Sequence, residues 1–325
     1  MRAIIPVAGV GSRLKPHTHT IPKVLLNVGG KPMLGYIIDK LLSEGINKAT
    51  FIYGHLGNLI VEYVQKTYPE LQADFVEQKE LEGLGHAIYT AIPTFDDDEV
   101  FIILGDTIFD VDLKSVFAKK VNSLGVKAVE DPRRFGVALM TNGYIEQLIE
   151  KPQTPVSNLA LVGLYYITEA NKLVNALNTL VDKNIRTRGE LQLTDALQMM
   201  IDSGVKMTTF PVEGWYDCGK PETLLGTNQY LLKKTVTPNE IPSVVLVPPV
   251  FIGENCKIEN SIVGPFATIS DGAKISESIV RNSIIGNDAE VKRALLENSI
   301  IGNNSSVKGN YKRINTGDSS ELDFY

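Results

Sequence analysis

Glycines and two basic residues follow the first apolar stretch of the chain. The run from Ala3 to Ala8 is apolar enough for a buried parallel strand, and Gly9 and Gly11 come directly after it. Glycine lacks the Cβ atom that would keep backbone N–H groups away from an anion. Arg13 can present a planar guanidinium to phosphate oxygens, and Lys23 adds a point charge. These residue types at this spacing predict a phosphate-binding loop at the end of a strand.

Two well-known phosphate motifs do not fit this loop. A dinucleotide fingerprint needs glycine where Leu14 stands, and a Walker A loop needs Gly-Lys-Ser or Gly-Lys-Thr, which is absent. An ordinary tight turn is the structural alternative. The addition of Arg13, Pro16 and the Pro22-Lys23 pair favours the phosphate loop.

Three consecutive segments carry a family resemblance. They read Gly-Val-Gly-Ser-Arg-Leu-Lys-Pro from Gly9, then Pro22-Lys23, then Gly30-Lys31-Pro32-Met33. Together they resemble the signature of sugar-1-phosphate nucleotidyltransferases, which make nucleotide sugars from a sugar phosphate and a nucleoside triphosphate. The resemblance implies catalytic roles for Arg13 and Lys23. It implies nucleotide contacts from the residues Ala8, Gly9, Gly11 and Ser12.

Composition limits the classes of partner. The chain has 325 residues, 43% of them hydrophobic, enough for one large domain and a smaller one. A formal charge of −6 gives no general attraction to nucleic acid or anionic membrane. Two cysteines, Cys218 and Cys256, indicate a reducing compartment, and no run approaches the ~20 apolar residues of a membrane span. We therefore expect a cytoplasmic protein with no nucleic-acid or membrane partner.

The pattern of the first domain alternates between strands and helices. Strands are predicted at 3–8, 48–53 and 73–76, with helices at 32–44 and 59–68 between them. This alternation predicts an α/β, Rossmann-like nucleotidyltransferase domain over residues 1–234, with a mixed, mostly parallel sheet.

A second glycine pair follows the third strand. The resemblance implies that Gln78 and Gly83 face the nucleotide, with Gly85 nearby. The alternative is a solvent-exposed loop before a helix.

Two aspartates are candidates for a metal site. A buried strand at 100–104 leads to Asp106, and open α/β sheets bind ligands at the carboxyl ends of such strands. The resemblance makes Asp106 a catalytic, metal-holding residue and Asp217 the second metal ligand, and it implies Mg²⁺ as the cofactor. Only the resemblance brings the two together. The acidic run at 96–99 is predicted to be a solvated turn without chemistry.

The segment after residue 125 is expected to fold over the sugar. The resemblance implies that Glu150 accepts hydrogen bonds from sugar hydroxyls, and that Lys151 and Arg188 hold the sugar phosphate. It also implies that Gly136 and Val162 line the pocket. Glu150 and Lys151 could instead be exposed strand-end charges. Thr194 and Asp195 could simply cap a helix.

A repeat fills the end of the chain. Asn-Ser-Ile followed by Ile or Val and then Gly begins at Asn260, Asn282 and Asn298, with aliphatic residues at six-residue steps. This pattern predicts a short left-handed parallel β-helix of about four coils over residues 244–309. A linker at 235–243 would precede it and a polar tail at 310–325 would follow. Coil edges favour self-association, so we expect a homo-oligomer.

The expected reaction transfers a nucleoside monophosphate from an NTP to a sugar-1-phosphate. Glucose-1-phosphate with dTTP or UTP is favoured; the alternatives are mannose-1-phosphate guanylyl transfer and a non-catalytic sugar-nucleotide sensor. An acyltransferase in the β-helix is disfavoured, because all four histidines precede residue 90 and none can serve as a base in the coils.

Overall fold

The computed structural model describes residues 1–96, 98–236 and 239–309. The predicted tail at 310–325 and linker residues 237 and 238 lie outside this part. The chain divides into two compact units. The first holds residues 1–26 and 31–227, and the second holds residues 27–30 and the described residues from Asn228 onward. No helix in the described residues combines the length and apolar character that a membrane crossing needs.

The described residues up to 232 form thirteen strands and seven α-helices, in addition to five short 3-10 helices. The strands are β1 Arg2–Pro6, β2 Asn27–Val28, β3 Lys31–Pro32, β4 Lys48–Tyr53, β5 Gln72–Glu77, β6 Val100–Ile103, β7 Thr107–Asp110, β8 Ser123–Ala128, β9 Gly136–Thr141, β10 Tyr144–Glu150, β11 Leu159–Ile167, β12 Thr208–Pro211 and β13 Gly214–Asp217. The helices are α1 Met33–Ser43, α2 Gly57–Thr67, α3 Leu84–Thr90, α4 Leu113–Ala118, α5 Ala170–Asp182, α6 Leu193–Asp202 and α7 Pro221–Leu232.

Nine of these strands form the sheet of the first unit. The order is β10-β9-β11-β6-β1-β4-β5, with β8 paired to β11 and β12 paired to β8. Strands β1, β4, β5 and β6 run parallel, whereas β11 runs antiparallel to its neighbours. The predicted mixed α/β sheet is confirmed, and its parallel part holds the carboxyl-terminal edge where the candidate residues lie.

The central strands are buried on both faces, which explains their continuous apolar sequences. Ala3, Ile4 and Ile5 of β1 have no exposed surface. Ile4 belongs to the core cluster on one side of the sheet, and Ala3 and Ile5 belong to the cluster on the other side. Full burial of one such aliphatic side chain stabilises the fold by about 1.5–3 kcal/mol.

Acidic residues after α3 anchor the start of β1. The Arg2 guanidinium, which is 6% exposed, donates to both carboxylate oxygens of Asp96 at 2.9 and 2.8 Å and also to Asp74. Glu99 accepts from Lys120 at 2.7 Å. Asp96 and Asp98 are exposed, as a solvated turn requires. The sequence pattern did not indicate that Asp96 and Glu99 form ion pairs: a buried guanidinium needs partners, and the fold brings Asp96 to it.

Twelve short strands build the coils of the second unit. They form three parallel sheets: β14 Val244–Leu246, β17 Ser261–Val263, β20 Ile279–Arg281 and β23 Leu295–Glu297; β15 Val250–Ile252, β18 Ala267–Ile269, β21 Ile284–Ile285 and β24 Ile300–Ile301; β16 Lys257–Glu259, β19 Lys274–Ser276, β22 Glu290–Lys292 and β25 Ser306–Lys308. The predicted left-handed β-helix is confirmed. Asn260, Asn282 and Asn298 turn corners with φ of 47°, 40° and 51°, a region that asparagine tolerates.

Candidate active site

A cavity of about 470 Å³ lies at the carboxyl ends of β1 and β6 in the first unit. Open α/β sheets place ligands at this edge. The predicted residues that line the cavity are Ala8, Gly9, Gly11, Ser12, Arg13, Lys23, Gln78, Gly83 and Asp106. Segments that are far apart in sequence therefore meet in one cavity.

The loop after β1 is shaped by Gly11. Its φ is 61°, and a Cβ there would lie 2.9 Å from Thr18 Cγ2 and 3.0 Å from Lys23 Cβ. Thr18 Oγ1 also donates a hydrogen bond of 2.9 Å to the Gly11 carbonyl. A side chain at Gly9, in contrast, would meet nothing within 4 Å, so the cavity is open beside the loop. The loop backbone is thus accessible to an anion.

Lys23 and Asp106 form the central charged pair of the cavity. Lys23 Nζ lies 2.8 Å from Asp106 Oδ2, and the Lys23 side chain is 8% exposed while that of Asp106 is 43% exposed. Thr107 Oγ1 donates to the second oxygen, Oδ1, at 3.2 Å. A buried ammonium needs a carboxylate partner, and the open face of this carboxylate remains available to a ligand.

The second aspartate meets the first through a two-stranded ladder. Strand β13 pairs antiparallel with β7, which sets Asp217 opposite Thr107, the neighbour of Asp106. The Cys218 N–H also donates to the Asp106 carbonyl at 3.3 Å. Sequence separation could not predict this meeting; the strand register supplies it.

Gly219 completes this corner and was not among the predicted site residues. A Cβ on Gly219 would lie 2.8 Å from Asp217 Oδ1 and 2.9 Å from Arg13 Nη2. The guanidinium of Arg13 and the carboxylate of Asp217 therefore flank one glycine. Its position two residues after Asp217 was the signal that could have identified it.

Cys218 lies beside both aspartates but stays protonated. Burial raises the pKa of its thiol to about 12, and the negative charges of Asp217 and Asp106 add to this shift. A neutral, fully buried thiol is neither a nucleophile nor a metal ligand. No cluster of three or more His, Cys, Asp or Glu side chains that could hold a metal occurs in the described residues.

Gln78 and Gly83 form the wall across from the loop. Gln78 is 5% exposed, and its Nε2 donates to the Gly83 carbonyl at 3.3 Å. Gly83 has φ of 117°, and a Cβ there would lie 2.6 Å from the Leu191 carbonyl oxygen. Glu190 also lines the cavity and accepts from Gln192 Nε2 at 2.9 Å. The Arg-Gly-Glu sequence was the signal for Glu190, which sequence reasoning left without a role.

The sugar-side residues converge in a second cluster. Glu150 Oε2 accepts from Thr194 Oγ1 at 2.8 Å, and Lys151 Nζ lies 3.2 Å from Glu150 Oε1. A Cβ on Gly136 would lie 3.0 Å from Glu150 Oε2, and the Arg188 guanidinium donates to the Lys151 carbonyl. The structure thus brings together four of the five predicted residues: Gly136, Glu150, Lys151 and Arg188.

Three details of this cluster differ from simple expectation. Thr194 binds Glu150 rather than capping α6, whose N-cap residue is Gln192 without a side-chain cap bond. Val162 is 2% exposed, and its side chain lies in the hydrophobic core. The pKa of Asp195 is raised by burial, with a smaller contribution from the charge of Glu150.

Comparison with known proteins places these residues in a family context. The family model described as nucleotidyl transferase matches residues 2–234, about seven-tenths of the chain. The chain belongs to the nucleotidyl transferase family. Nucleotidyltransferases of this family generally use divalent metal ions.

Individual relatives are glucose-1-phosphate enzymes. The chain is 33% identical over 294 residues to a glucose-1-phosphate thymidylyltransferase of Streptomyces antibioticus, covering 86% of this chain and 81% of that one. It is 31% identical over 250 residues to the UTP–glucose-1-phosphate uridylyltransferase AglF of Haloferax volcanii, covering 74% of this chain and all of AglF. A solved UDP-glucose pyrophosphorylase complexed with UDP-glucose shares the fold, with a TM-score of 0.62, 24% identity, and coverage of 72% of this chain and 99% of that one.

Other relatives are longer than the matched region. The match spans 66% of the length of the low-salt glycan biosynthesis nucleotidyltransferase Agl11 of Haloferax volcanii, which is 36% identical to this chain. It spans 56% of the length of the bifunctional protein GlmU of Methanocaldococcus jannaschii, which is 37% identical.

Proposed function

We propose that this protein transfers a nucleoside monophosphate from dTTP or UTP to glucose-1-phosphate and releases pyrophosphate. The observation that supports it most is the pairing of Lys23 with Asp106 beside a glycine-rich loop, in a cavity walled by Gln78 and Gly83. Asp217 lies opposite Thr107, the neighbour of Asp106, on the paired strand. Glucose-1-phosphate and the two bases are favoured because relatives that match most of this chain act on them by name. The catalytic region would comprise residues 1–234.

The proposed chemistry is an in-line displacement at phosphorus. An oxygen of the sugar phosphate attacks the α-phosphorus of the NTP, the new P–O bond forms, and the bond to pyrophosphate breaks. Loop N–H groups from Gly9 to Arg13 would bind the triphosphate, and the Arg13 guanidinium would neutralise charge on the departing pyrophosphate. Lys23, fixed by Asp106, would lie against the transferred group. Positioning and charge neutralisation therefore supply the rate.

Magnesium is the metal proposed for this site. Mg²⁺ is held in such sites by one or two carboxylates plus substrate phosphates. Asp217 is the last residue of β13, and Asp106 lies immediately before β7, the strand that pairs with β13. A bound Mg²⁺ would stabilise negative charge on the phosphates in the transition state. The open carboxylate of Asp106 fits this role, since its exposed side can accept the metal while Lys23 holds the other side.

The sugar-side roles remain proposals of the same kind. Glu150, fixed by Thr194, would accept hydrogen bonds from sugar hydroxyls. Lys151 and Arg188 would hold the phosphate of the sugar. The alternatives are a mannose-1-phosphate guanylyltransferase and a non-catalytic regulator that binds a sugar nucleotide.

A substrate panel tests the proposal. Pyrophosphate release with Mg²⁺ is measured for UTP, dTTP, GTP, ATP and CTP, each with glucose-1-phosphate and with mannose-1-phosphate. We expect the wild-type protein to release pyrophosphate with glucose-1-phosphate and dTTP or UTP. The Asp106→Asn variant, purified in the same way, should release none. Release only with GTP and mannose-1-phosphate would show that both proposed substrates are wrong and that the protein is a mannose-1-phosphate guanylyltransferase. If folded protein releases no pyrophosphate with any substrate pair, the proposed catalysis is contradicted and the non-catalytic sugar-nucleotide regulator is favoured.

A further inference from the structure

The three faces of the β-helix differ in what their outward side chains meet. On the β15-β18-β21-β24 face, outward Thr268 and Ile284 are 0% and 3% exposed. This face is covered within its own unit: Thr268 Oγ1 donates to Asn228 Oδ1 at 2.6 Å, and a Cβ on Gly30 would lie 2.6 Å from the Phe251 ring. The β16-β19-β22-β25 face presents charged and polar residues outward: Lys257, Lys274, Glu290, Lys292 and Lys308.

The third face, β14-β17-β20-β23, carries an aliphatic row. Val245, Ile262, Ile279 and Leu295 occupy matching outward positions on its four strands and pair in register from one coil to the next. Val245 is 59% exposed and Leu295 is 73% exposed. Ile262 and Ile279 are partly exposed between them. A contiguous apolar row on a soluble surface marks an interaction site more often than scattered single residues do.

Charged residues flank this row in alternating order. In the third coil, Glu277 precedes Ile279 and Arg281 follows it. In the fourth coil, Arg293 precedes Leu295 and a glutamate, Glu297, follows it. All four flanking residues are exposed, and within one chain Arg293 Nε lies 3.9 Å from Glu277 Oε2, at the outer limit of an ion pair. These two of the four coils therefore each carry one sign before the row and the opposite sign after it.

We propose that the aliphatic row is an interface between two copies of this chain, related by a two-fold axis parallel to the stack of coils. Rotation about this axis keeps every coil at its own level and reverses the strand direction. Each row residue then faces its own equivalent. Residues before the row face residues after it, so Arg281 faces Glu277 of the partner subunit and Glu297 faces Arg293 of the partner subunit.

The charge pattern selects this arrangement and this occupant. A two-fold axis parallel to the strands would exchange coil levels and set Arg281 against Gly264 of the partner subunit, leaving the charges without opposite partners. The in-level arrangement makes the surface complementary to itself, which is the requirement for a two-fold interface between identical subunits. It also places four aliphatic side chains at the centre and charges at the rim, as in most protein interfaces.

The size of the row sets the expected strength. Four coils spaced about 4.8 Å apart give a contact only about 15–20 Å long. A contact of that length buries less area than the roughly 800 Å² per partner of a standard stable interface. We therefore expect a concentration-dependent dimer with a dissociation constant in the micromolar range or weaker.

Sedimentation equilibrium tests this interface on the full chain. Wild type is expected to shift from the 35.7 kDa monomer toward twice that mass as concentration rises. Leu295→Lys should weaken association at least tenfold, whereas Lys274→Glu, on the charged face, should leave it unchanged. Both side chains point outward, so thermal melting should show both variants folded.

A charge swap tests the axis. Arg281→Glu alone should weaken the dimer, and Arg281→Glu combined with Glu277→Arg should restore it, because each new charge again faces its opposite. Leu295→Cys should form a disulfide-linked dimer on mild oxidation, whereas Lys274→Cys and wild type, with only Cys218 and Cys256, should not. A wild-type monomer at all concentrations would overturn the proposal. So would a dimer unaffected by Leu295→Lys, or one that cross-links only when Val245→Cys is mixed with Leu295→Cys.

Discussion

The proposed phosphate end of the site, which lies in the cavity, and the proposed sugar end, which is the cluster around Glu150, pair lysine with carboxylate in opposite ways. At the phosphate end, the Lys23 side chain is 8% exposed and its partner Asp106 is 43% exposed. At the sugar end, the carboxylate of Glu150 is 10% exposed and its partner Lys151 is 39% exposed. The phosphate end therefore fixes a cation and leaves an anion open, which suits a metal ion. The sugar end fixes an anion and leaves a cation open, which suits a phosphate.

The largest expected effect comes from removing the open anion. Asp106→Asn should lower kcat by about 10³-fold or more, because it removes the proposed metal ligand and the counter-charge that orients Lys23. The fold should lose only about 1 kcal/mol, since the asparagine oxygen can still accept from Lys23. Steady-state pyrophosphate release and thermal melting measure the two effects.

The matched control for this variant is Asp182→Asn, an exposed change at the end of α5. It should leave both readouts near wild type. Near-normal turnover of Asp106→Asn would show that Asp106 is not a required metal ligand, and the proposed difference between the two ends would then be wrong.

The two lysines should fail in different kinetic parameters. Lys23→Met removes a fixed charge that is proposed to act on the transferred group, so kcat should fall by about 10²-fold with a smaller change in KM. Lys151→Met removes an open charge that is proposed to bind the ground-state sugar phosphate, so the KM for that substrate should rise by about 10–100-fold with little change in kcat. Initial rates across both substrate concentrations separate the cases. Equal effects on kcat and KM in both variants would show that burial does not divide the roles.

Gly219 gives a steric test of the phosphate end. Gly219→Ala adds a Cβ 2.8 Å from Asp217 Oδ1 and 2.9 Å from Arg13 Nη2. Both groups must shift, and we expect about a tenfold loss of kcat with the fold retained, since misplacement by a fraction of an ångström weakens positioning.

The control is Gly226→Ala in α7, where a Cβ meets nothing within 4 Å. It should keep full activity and add about 0.5–1 kcal/mol of stability, because alanine favours a helix interior over glycine. Wild-type kinetics in Gly219→Ala would mean that Arg13 and Asp217 tolerate displacement and do not need this corner.

Local patterns predicted the elements of this fold well, and the contacts between them less well. The apolar run at 100–104 and the Asn-Ser-Ile repeat identify a strand and the β-helix because burial and corner geometry depend on a few adjacent residues. The ladder that places Asp217 opposite Thr107 depends on strand register across more than a hundred residues, which no local signal encodes. Asp96 shows the same limit: its partner Arg2 lies 94 residues earlier in the sequence, and only the folded sheet joins them.

The smallest expected effect concerns the Arg2–Asp96 ion pair, in which both residues stabilise the fold, unlike the two lysine–carboxylate pairs of the candidate site. Arg2 holds the pKa of the Asp96 carboxyl well below its usual range, mainly through hydrogen bonds, and neither residue lines the active-site cavity. Asp96→Asn should therefore leave kcat and KM unchanged while lowering unfolding free energy by about 1 kcal/mol at pH 7. Because the folded-state pKa is depressed, this contribution is present above the unfolded pKa of about 3.9 and is lost as pH falls below it. Denaturant melts at a series of pH values measure the difference in unfolding free energy between wild type and Asp96→Asn. This difference should narrow below about pH 4. A difference that stays constant in acid would mean that packing, not the charge of Asp96, holds Arg2.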